Sequence, residues 1–434
     1  MSETGTIHAS VSAARPSRAR FAMLGLIATG TLVNYLDRTI LGIAAPALTK
    51  DLALNPAVMG IVFSAFSWSY AASQVPGGLF LDRFGTRLTY ALSVGFWSLF
   101  TLLHALVGSL GALLGLRLAL GLAEAPCFPA NSRVVATWFP QSERALATGV
   151  YTVGEYIGLA FLSPLLFWLL ALHGWRSLFI VCGVIGLAFT LVWLARYREP
   201  ADHKTVNAAE LAYIAEGGGL VGGAAKGARI DWSKASKLLR FRRMWGICLG
   251  QFGGNSTLIF FLTWFPTYLA TERHMAFLKI GFYAVLPFIA ASVGVLFGGW
   301  WSDTMLRRGL SASIARKTPI ITGLLLASTI IAANFVESNA AVIAILSLAF
   351  FAQGMAALGW TLVSDIAPEG MLGLTGGIFN LAANLAGIIT PLVIGLIVAE
   401  TGSFFYALAF VGILSLMGAL SYIFIVGDVK RIVL

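Results

Sequence analysis

Five ionisable side chains, Asp37, Arg38, Arg117, Glu124 and Glu155, stand in stretches that are otherwise almost free of charge. Charge in an apolar interior is costly, so each of them demands a partner or a task. Arg117 and Glu124 are seven residues apart, two turns of one helix, which places a cation and a titratable acid on one face about 10 Å apart along the axis. An arginine in such a cavity can hold a carboxylate with two parallel hydrogen bonds, which suits an organic anion. The alternative is that Arg117 only neutralises an acid. Arg38 adjoins Asp37 but points roughly 100° away around the helix, which makes it a charge partner for another element. Asp37 and Glu124 are the candidate proton carriers. A carboxyl in low dielectric holds its proton more tightly, a neighbouring guanidinium loosens it, and occupancy by an anion can therefore be coupled to protonation. The rival reading is a static buried salt bridge. Asp37, Arg117 and Glu124 are expected to line one shared interior chamber.

The elements that must hold these groups are helices in a membrane. The chain is 58% hydrophobic and 11% charged, far from the balance of a soluble domain. Charge-free runs such as 52–81, 88–116, 338–364 and 370–399 exceed the roughly 20 residues a spanning helix needs. Alternating ten-residue strands are absent, so only helices can satisfy the backbone in lipid, and the fold class is an all-α integral membrane protein. Twelve spans are predicted, at 21–45, 57–81, 88–108, 110–131, 146–169, 175–195, 243–270, 277–301, 316–335, 340–366, 372–398 and 404–426. The expected organisation is a cytoplasmic tail over 1–20, a six-helix bundle over 21–195, a linker over 196–242, a second bundle over 243–426 and a tail over 427–434.

Cations set the orientation. With both termini cytoplasmic, twenty-three Lys and Arg face the cytoplasm and four, Lys50, Arg176, Arg273 and Lys279, face outward. Anionic headgroups of the lipid bilayer then account for the net charge of +10, and no nucleic acid is needed as a partner. The first span is too long for a signal-peptide core and is expected to stay as an anchor. Cys127, Cys182 and Cys248 all fall in predicted spans and are expected to be free, buried thiols. His104, His173 and His274 fall near the outer surface and are expected to be solvated.

The polar segment 196–242, with Gly217, Gly218, Gly219, Gly222, Gly223 and Gly227, is too short and glycine-rich to hold a catalytic domain. The two halves echo one another. Gly77, Gly78 and Asp82 are matched by Gly298, Gly299 and Asp303, Pro140 and Gly149 by Pro368 and Gly377, and Pro164 by Pro391.

The segment from Gly78 to Arg87, Gly-Leu-Phe-Leu-Asp-Arg-Phe-Gly-Thr-Arg, resembles the signature loop of the major facilitator superfamily. Asn34 to Arg38, Phe63 to Trp68, Leu122 to Pro126, Trp138 to Pro140, Phe261 to Pro266, Ala315 to Pro319 and Gly427 to Arg431 extend the resemblance over nearly the whole chain. Within the superfamily they resemble the anion:cation symporter family and its bacterial proton-coupled carriers of D-glucarate, D-galactarate and D-galactonate. The resemblance implies a bacterial inner-membrane symporter, working as a monomer by alternating access, with a small organic anion as cargo, protons as coupling ion and no other cofactor. It implies substrate contacts from Tyr35, Arg38, Tyr70, Arg117, Gln251, Asn255, Trp360, Thr361, Asn380 and Asn384. For Asn255 and Asn384 a helix–helix hydrogen bond is the competing reading. Asp82, Arg83, Arg87, Asp303 and Asp365 are expected to latch or gate. Glu155 departs from the family's Gln, where it contacts substrate, and is expected either to titrate as a third acid or to shift substrate preference. An aromatic or small dicarboxylic acid remains an alternative cargo, and a sensor that binds without transporting is a second alternative. No metal-ligand cluster, nucleophile elbow or phosphate-binding loop supports an enzyme or an ATP-driven pump.

Overall fold

The computed structural model describes residues 15–141, 143–221, 236–368 and 371–433. Residues 1–14 of the expected tail over 1–20, the linker glycines Gly222, Gly223 and Gly227 and the last residue lie outside them, as do the side chains of residues 153–157, including Glu155.

Apolar composition and local stop signals set the helices. In chain order they are α1 (Ala19–Asp51), α2 (Pro56–Ala72), α3 (Gln74–His104), α4 (Leu110–Glu124), α5 (Cys127–Trp138), α6 (Arg144–His173), α7 (Trp175–Arg196) and α8 (Ala208–Glu216). The second half follows with α9 (Arg242–Thr263), α10 (Phe265–Thr271), α11 (Phe277–Arg307), α12 (Ala312–Ala327), α13 (Asn339–Ala356), α14 (Gly359–Ile366), α15 (Leu372–Thr401) and α16 (Phe405–Phe424). Asn55 starts α2 by accepting from the Val58 N–H, and Ser109 starts α4 by accepting from the Ala112 N–H.

Several expected spans are broken helices. The span at 110–131 is α4 followed by α5, parted at Ala125 and Pro126, where proline lacks the N–H that the carbonyl four residues back would accept. The span at 243–270 breaks in the same way into α9 and α10 before Pro266. The span at 57–81 is interrupted at Ser73, and its remainder runs on through the signature segment into the next helix, with one kink at Gly85, φ 75°. That conformation needs a residue without Cβ. The expected loop is thus mostly helix.

The two halves pack unequally along their length. Toward the end that carries Asp51 and Glu272, one apolar core runs across both halves, joining Ile40, Leu48 and Phe63 to Phe261, Trp264 and Val398. Toward the end that carries the termini it divides in two, one core around Trp97, Trp138 and Trp193, the other around Met244, Phe379 and Tyr422. The molecule is therefore closed at one end and split at the other. Backbones meet at the closed end: a Cβ added at Gly42 would stand 2.3 Å from the Leu262 carbonyl oxygen, and one at Gly60 would stand 2.6 Å from that of Pro391. The repeat-related Pro164 and Pro391 both lie on this seam, the first against Gly281 and the second against Gly60.

The linker is more structured than its composition suggests. Asn207 caps α8 by accepting from the Glu210 N–H at 2.8 Å. Glu210 is fully buried. Its carboxylate accepts from the backbone N–H groups of Ala19 and Arg20 and from the Ser17 hydroxyl, so a segment about 190 residues away caps α1. Arg20 joins Glu210 and Glu143, each at 3.0 Å, and Tyr213 donates to Glu143 at 2.7 Å. Burial draws the Glu143 carboxyl upward, but the hydrogen bonds from Arg20 and Tyr213 outweigh it and hold the group below its ordinary value.

Candidate functional site

The charged cluster sits in the first half, at the level where the shared core divides. Arg38 leaves α1 away from Asp37 and pairs with Glu124 at the end of α4. Glu124 is fully buried, and among the described residues its second oxygen, Oε2, has no hydrogen-bond partner. The Arg38 guanidinium is enclosed by four rings, with centroids at 5.3 Å for Tyr35, 5.1 Å for Phe66, 4.9 Å for Tyr70 and 5.7 Å for Phe128. Cation–π attraction gains strength in a desolvated setting of this kind.

Arg117 is 5% exposed. Among the described residues it makes one hydrogen bond, from Nε to the Val62 carbonyl at 3.4 Å, and no ion pair. Its guanidinium lies 5.1 Å from the Phe66 ring. A buried cation without a carboxylate is expensive, and an incoming anion relieves that cost.

Asp37 is 2% exposed, and among the described residues neither of its oxygens has a hydrogen-bond partner. It turns inward, toward Trp97 and Thr101 on α3, with Glu124 within electrostatic reach. Arg38, Glu124 and Arg117 gather around the aromatic rings, and Asp37 lies in the core of the same half beside Trp97 and Thr101. None of these charges faces outward.

On the other half, Gln251 on α9 is half-buried beside Gly359 at the start of α14, and Asn380 is half-buried on α15. Trp360 is 46% exposed and meets Phe379 edge-on at 5.0 Å. The Thr361 hydroxyl donates to the Leu358 carbonyl at 2.7 Å. Asn255 donates to the Ala383 carbonyl at 2.7 Å and Asn384 to the Asn380 carbonyl at 3.0 Å, so both amides serve helix structure here. Ser67 on α2 packs against Gly387 on α15, which brings the two sets of polar residues to the same seam. Glu155 lies within α6, its side chain outside the described residues.

The residues expected to latch or gate contact partners within their own half. Asp82 pairs with Arg133 at 3.2 Å, and the repeat-related Asp303 pairs with Arg316, also at 3.2 Å. Asp365 meets Arg316 at 3.5 Å. Arg87 donates to the Leu194 carbonyl at 2.8 Å, and Arg83 lies over its neighbour Phe84. Among the described residues no ion pair crosses between halves at the terminus-bearing end, in keeping with the divided core.

Two expectations fail. His104 is not solvated: it is 1% exposed, its Nδ1 is bonded to the Phe100 carbonyl at 2.7 Å, and its ring stacks on Phe179 at 5.2 Å. Helix α3 carries it inward, whereas His173 and His274 are exposed. Cys248 is half-buried rather than buried, and none of the three cysteines is in a disulfide. Sequence reading also missed Phe66 and Phe128, which look like ordinary core residues, and Glu210, whose only signal was Asn207 three residues before it.

A family model described as Major Facilitator Superfamily matches residues 27–315. The chain is 46% identical over 430 residues to a D-galactonate transporter of Escherichia coli O6:H1, covering 97% of this chain and 99% of that one. It is 44% identical over 426 residues to a protein named probable galactarate/D-glucarate transporter GarP of Escherichia coli K12, covering 95% and 96%. The corresponding figures for the probable galactarate/D-glucarate transporter GudP of Bacillus subtilis are 43% over 432 residues, covering 97% and 95%. Among solved structures, the inward-open xylose transporter XylE from E. coli superposes with a TM-score of 0.73 at 13% identity, covering 94% of this chain and 97% of that one. A bacterial homologue of the lysosomal transporter Spinster, inward-facing and unoccupied, gives 0.69 at 19% identity, covering 94% and 95%.

Proposed function

The chain belongs to the major facilitator superfamily, and on that premise we propose that it imports a sugar acid, a hexonate or hexarate such as D-galactonate, D-glucarate or D-galactarate, together with protons. It is a multi-pass membrane transporter and not an enzyme. The observation that carries the reading is Arg117, a buried guanidinium with no ion-pair partner among the described residues, beside the Arg38–Glu124 pair. In this reading the substrate carboxylate binds Arg117, while Asp37 and Glu124 carry protons. Tyr35, Tyr70, Gln251 and Asn380 meet the hydroxyls, with Trp360 and Thr361 at the rim. The latch residues Asp82, Arg83, Arg87, Asp303 and Asp365 re-form contacts between halves when the split end closes.

Charge accounting supports coupling. With Glu155 protonated, Arg38 and Arg117 against Asp37 and Glu124 sum to zero when those four are ionised. A bound monoanion then leaves one unpaired negative charge inside the membrane, and one proton removes it. A dianion calls for two. By the positive-inside rule both termini are cytoplasmic and the split end opens inward; a bacterial inner membrane and a monomeric working unit are parts of the same proposal.

The test is uptake into proteoliposomes of D-galactonate, D-glucarate and D-galactarate, with and without an inward proton gradient, for the wild type and Arg117→Ala. Gradient-dependent accumulation that Arg117→Ala abolishes is the expected result. Uptake indifferent to the gradient, or unaffected by an excess of these acids but blocked by an aromatic acid, would overturn it. Binding without any accumulation would instead identify a sensor.

A further inference from the structure

Both arginines of the cluster share one aromatic ring. The Arg38 and Arg117 guanidiniums each lie 5.1 Å from the centroid of Phe66, so they are no more than about 10 Å apart. Tyr35, Tyr70 and Phe128 reach Arg38, but among the described residues Phe66 alone lies under both. Phe66 is 7% exposed and stacks on Tyr70 at 5.3 Å, with 23° between the rings, so its own position is fixed. Two like charges at this separation in a dry interior repel each other. Glu124 pairs with Arg38, and among the described residues no carboxylate forms an ion pair with Arg117.

We propose that Phe66 is a positioning residue for the anion site. The electron-rich faces of its ring hold both guanidiniums at a set spacing, and the affinity for the substrate carboxylate depends on that spacing. This inference rests on the sugar-acid reading for its substrate, though its geometry does not. A residue that merely filled space would be replaceable by any side chain of the same shape. A residue that acts through its quadrupole would not.

Replacing Phe66 by mono-, di- and trifluorophenylalanine keeps the shape while draining electron density from the faces. The expected outcome is a stepwise rise in KM for D-galactonate uptake, reaching roughly ten-fold for the trifluoro ring, with maximal rate and melting temperature held. Phe66→Trp should keep the low KM, and Phe66→Leu should behave like the trifluoro variant. A flat KM across the series, with the wild type transporting normally, would overturn the inference. A wild type that takes up no sugar acid would overturn the substrate reading instead. The side-chain Nε–H resonances of Arg38 and Arg117 then decide: both must move between wild type and Phe66→Leu as the ring current is lost. If either stays in place, the shared ring is refuted.

Discussion

Gly60→Ala should push the protein out of the conformation seen here. The added methyl would stand 2.6 Å from the Pro391 carbonyl oxygen and 3.2 Å from the Leu392 Cα, and both obstacles are backbone. Ordinary contact needs roughly 3.5 Å, so α2 and α15 must part by somewhat less than 1 Å. Overpacking of this kind typically costs about 1–3 kcal/mol. The cost falls on the state in which this end is closed, because the two helices belong to different halves and touch across the seam. It therefore shifts the conformational equilibrium by roughly 5- to 150-fold toward opening at that end. The assay is maleimide labelling of a Met59→Cys reporter in a background free of the native cysteines, since Met59 is 1% exposed on that seam. Gly60→Ala should raise the labelling rate, whereas Gly78→Ala, where an added Cβ meets nothing within 4 Å, should not. Equal labelling in all three proteins would refute the argument that backbone contact at Gly60 closes this end.

Glu124→Gln should retain exchange of labelled for unlabelled sugar acid across proteoliposome membranes yet lose accumulation against a gradient, because the amide still accepts from Arg38 but carries no proton; loss of exchange as well would place Glu124 in substrate binding. Glu155→Gln should lower the proton-to-substrate ratio by one if Glu155 crosses the membrane protonated, as read from reversal potentials, and an unchanged ratio with unchanged selectivity would remove it from the mechanism. Glu143→Gln should cost about 0.2–1 kcal/mol at neutral pH by opening the exposed side of the Arg20 cluster. The Glu143 carboxyl is held below its ordinary value when folded, so its contribution is present above the unfolded value near 4.5 and lost as pH falls through the folded one. The melting temperatures of wild type and Glu143→Gln should therefore converge on acidification, and a gap that widens would contradict the assignment.

The sequence by itself determined the solvent, the helical class and the charges that matter, because lipid tolerates neither an unpaired backbone nor an idle carboxylate. The spacing of Arg117 and Glu124 placed them on one helix face, and the offset of Arg38 from Asp37 announced a partner elsewhere. Helical periodicity fixes which way a residue points on its own helix. It cannot say which neighbour lies opposite, since that depends on how the helices are rotated and tilted against one another. Only the tertiary structure therefore decided that Glu124 pairs with Arg38 while Arg117 has no ion pair among the described residues, and that Asp37 turns toward Trp97 and Thr101 instead of joining them. The same limit hid His104, read as surface but carried into the interior, and Glu210, which falls within the polar linker but is buried against the start of α1. It also hid which end is shut, because backbone contacts such as Gly60 with Pro391 join residues over 300 positions apart whose meeting no local pattern encodes.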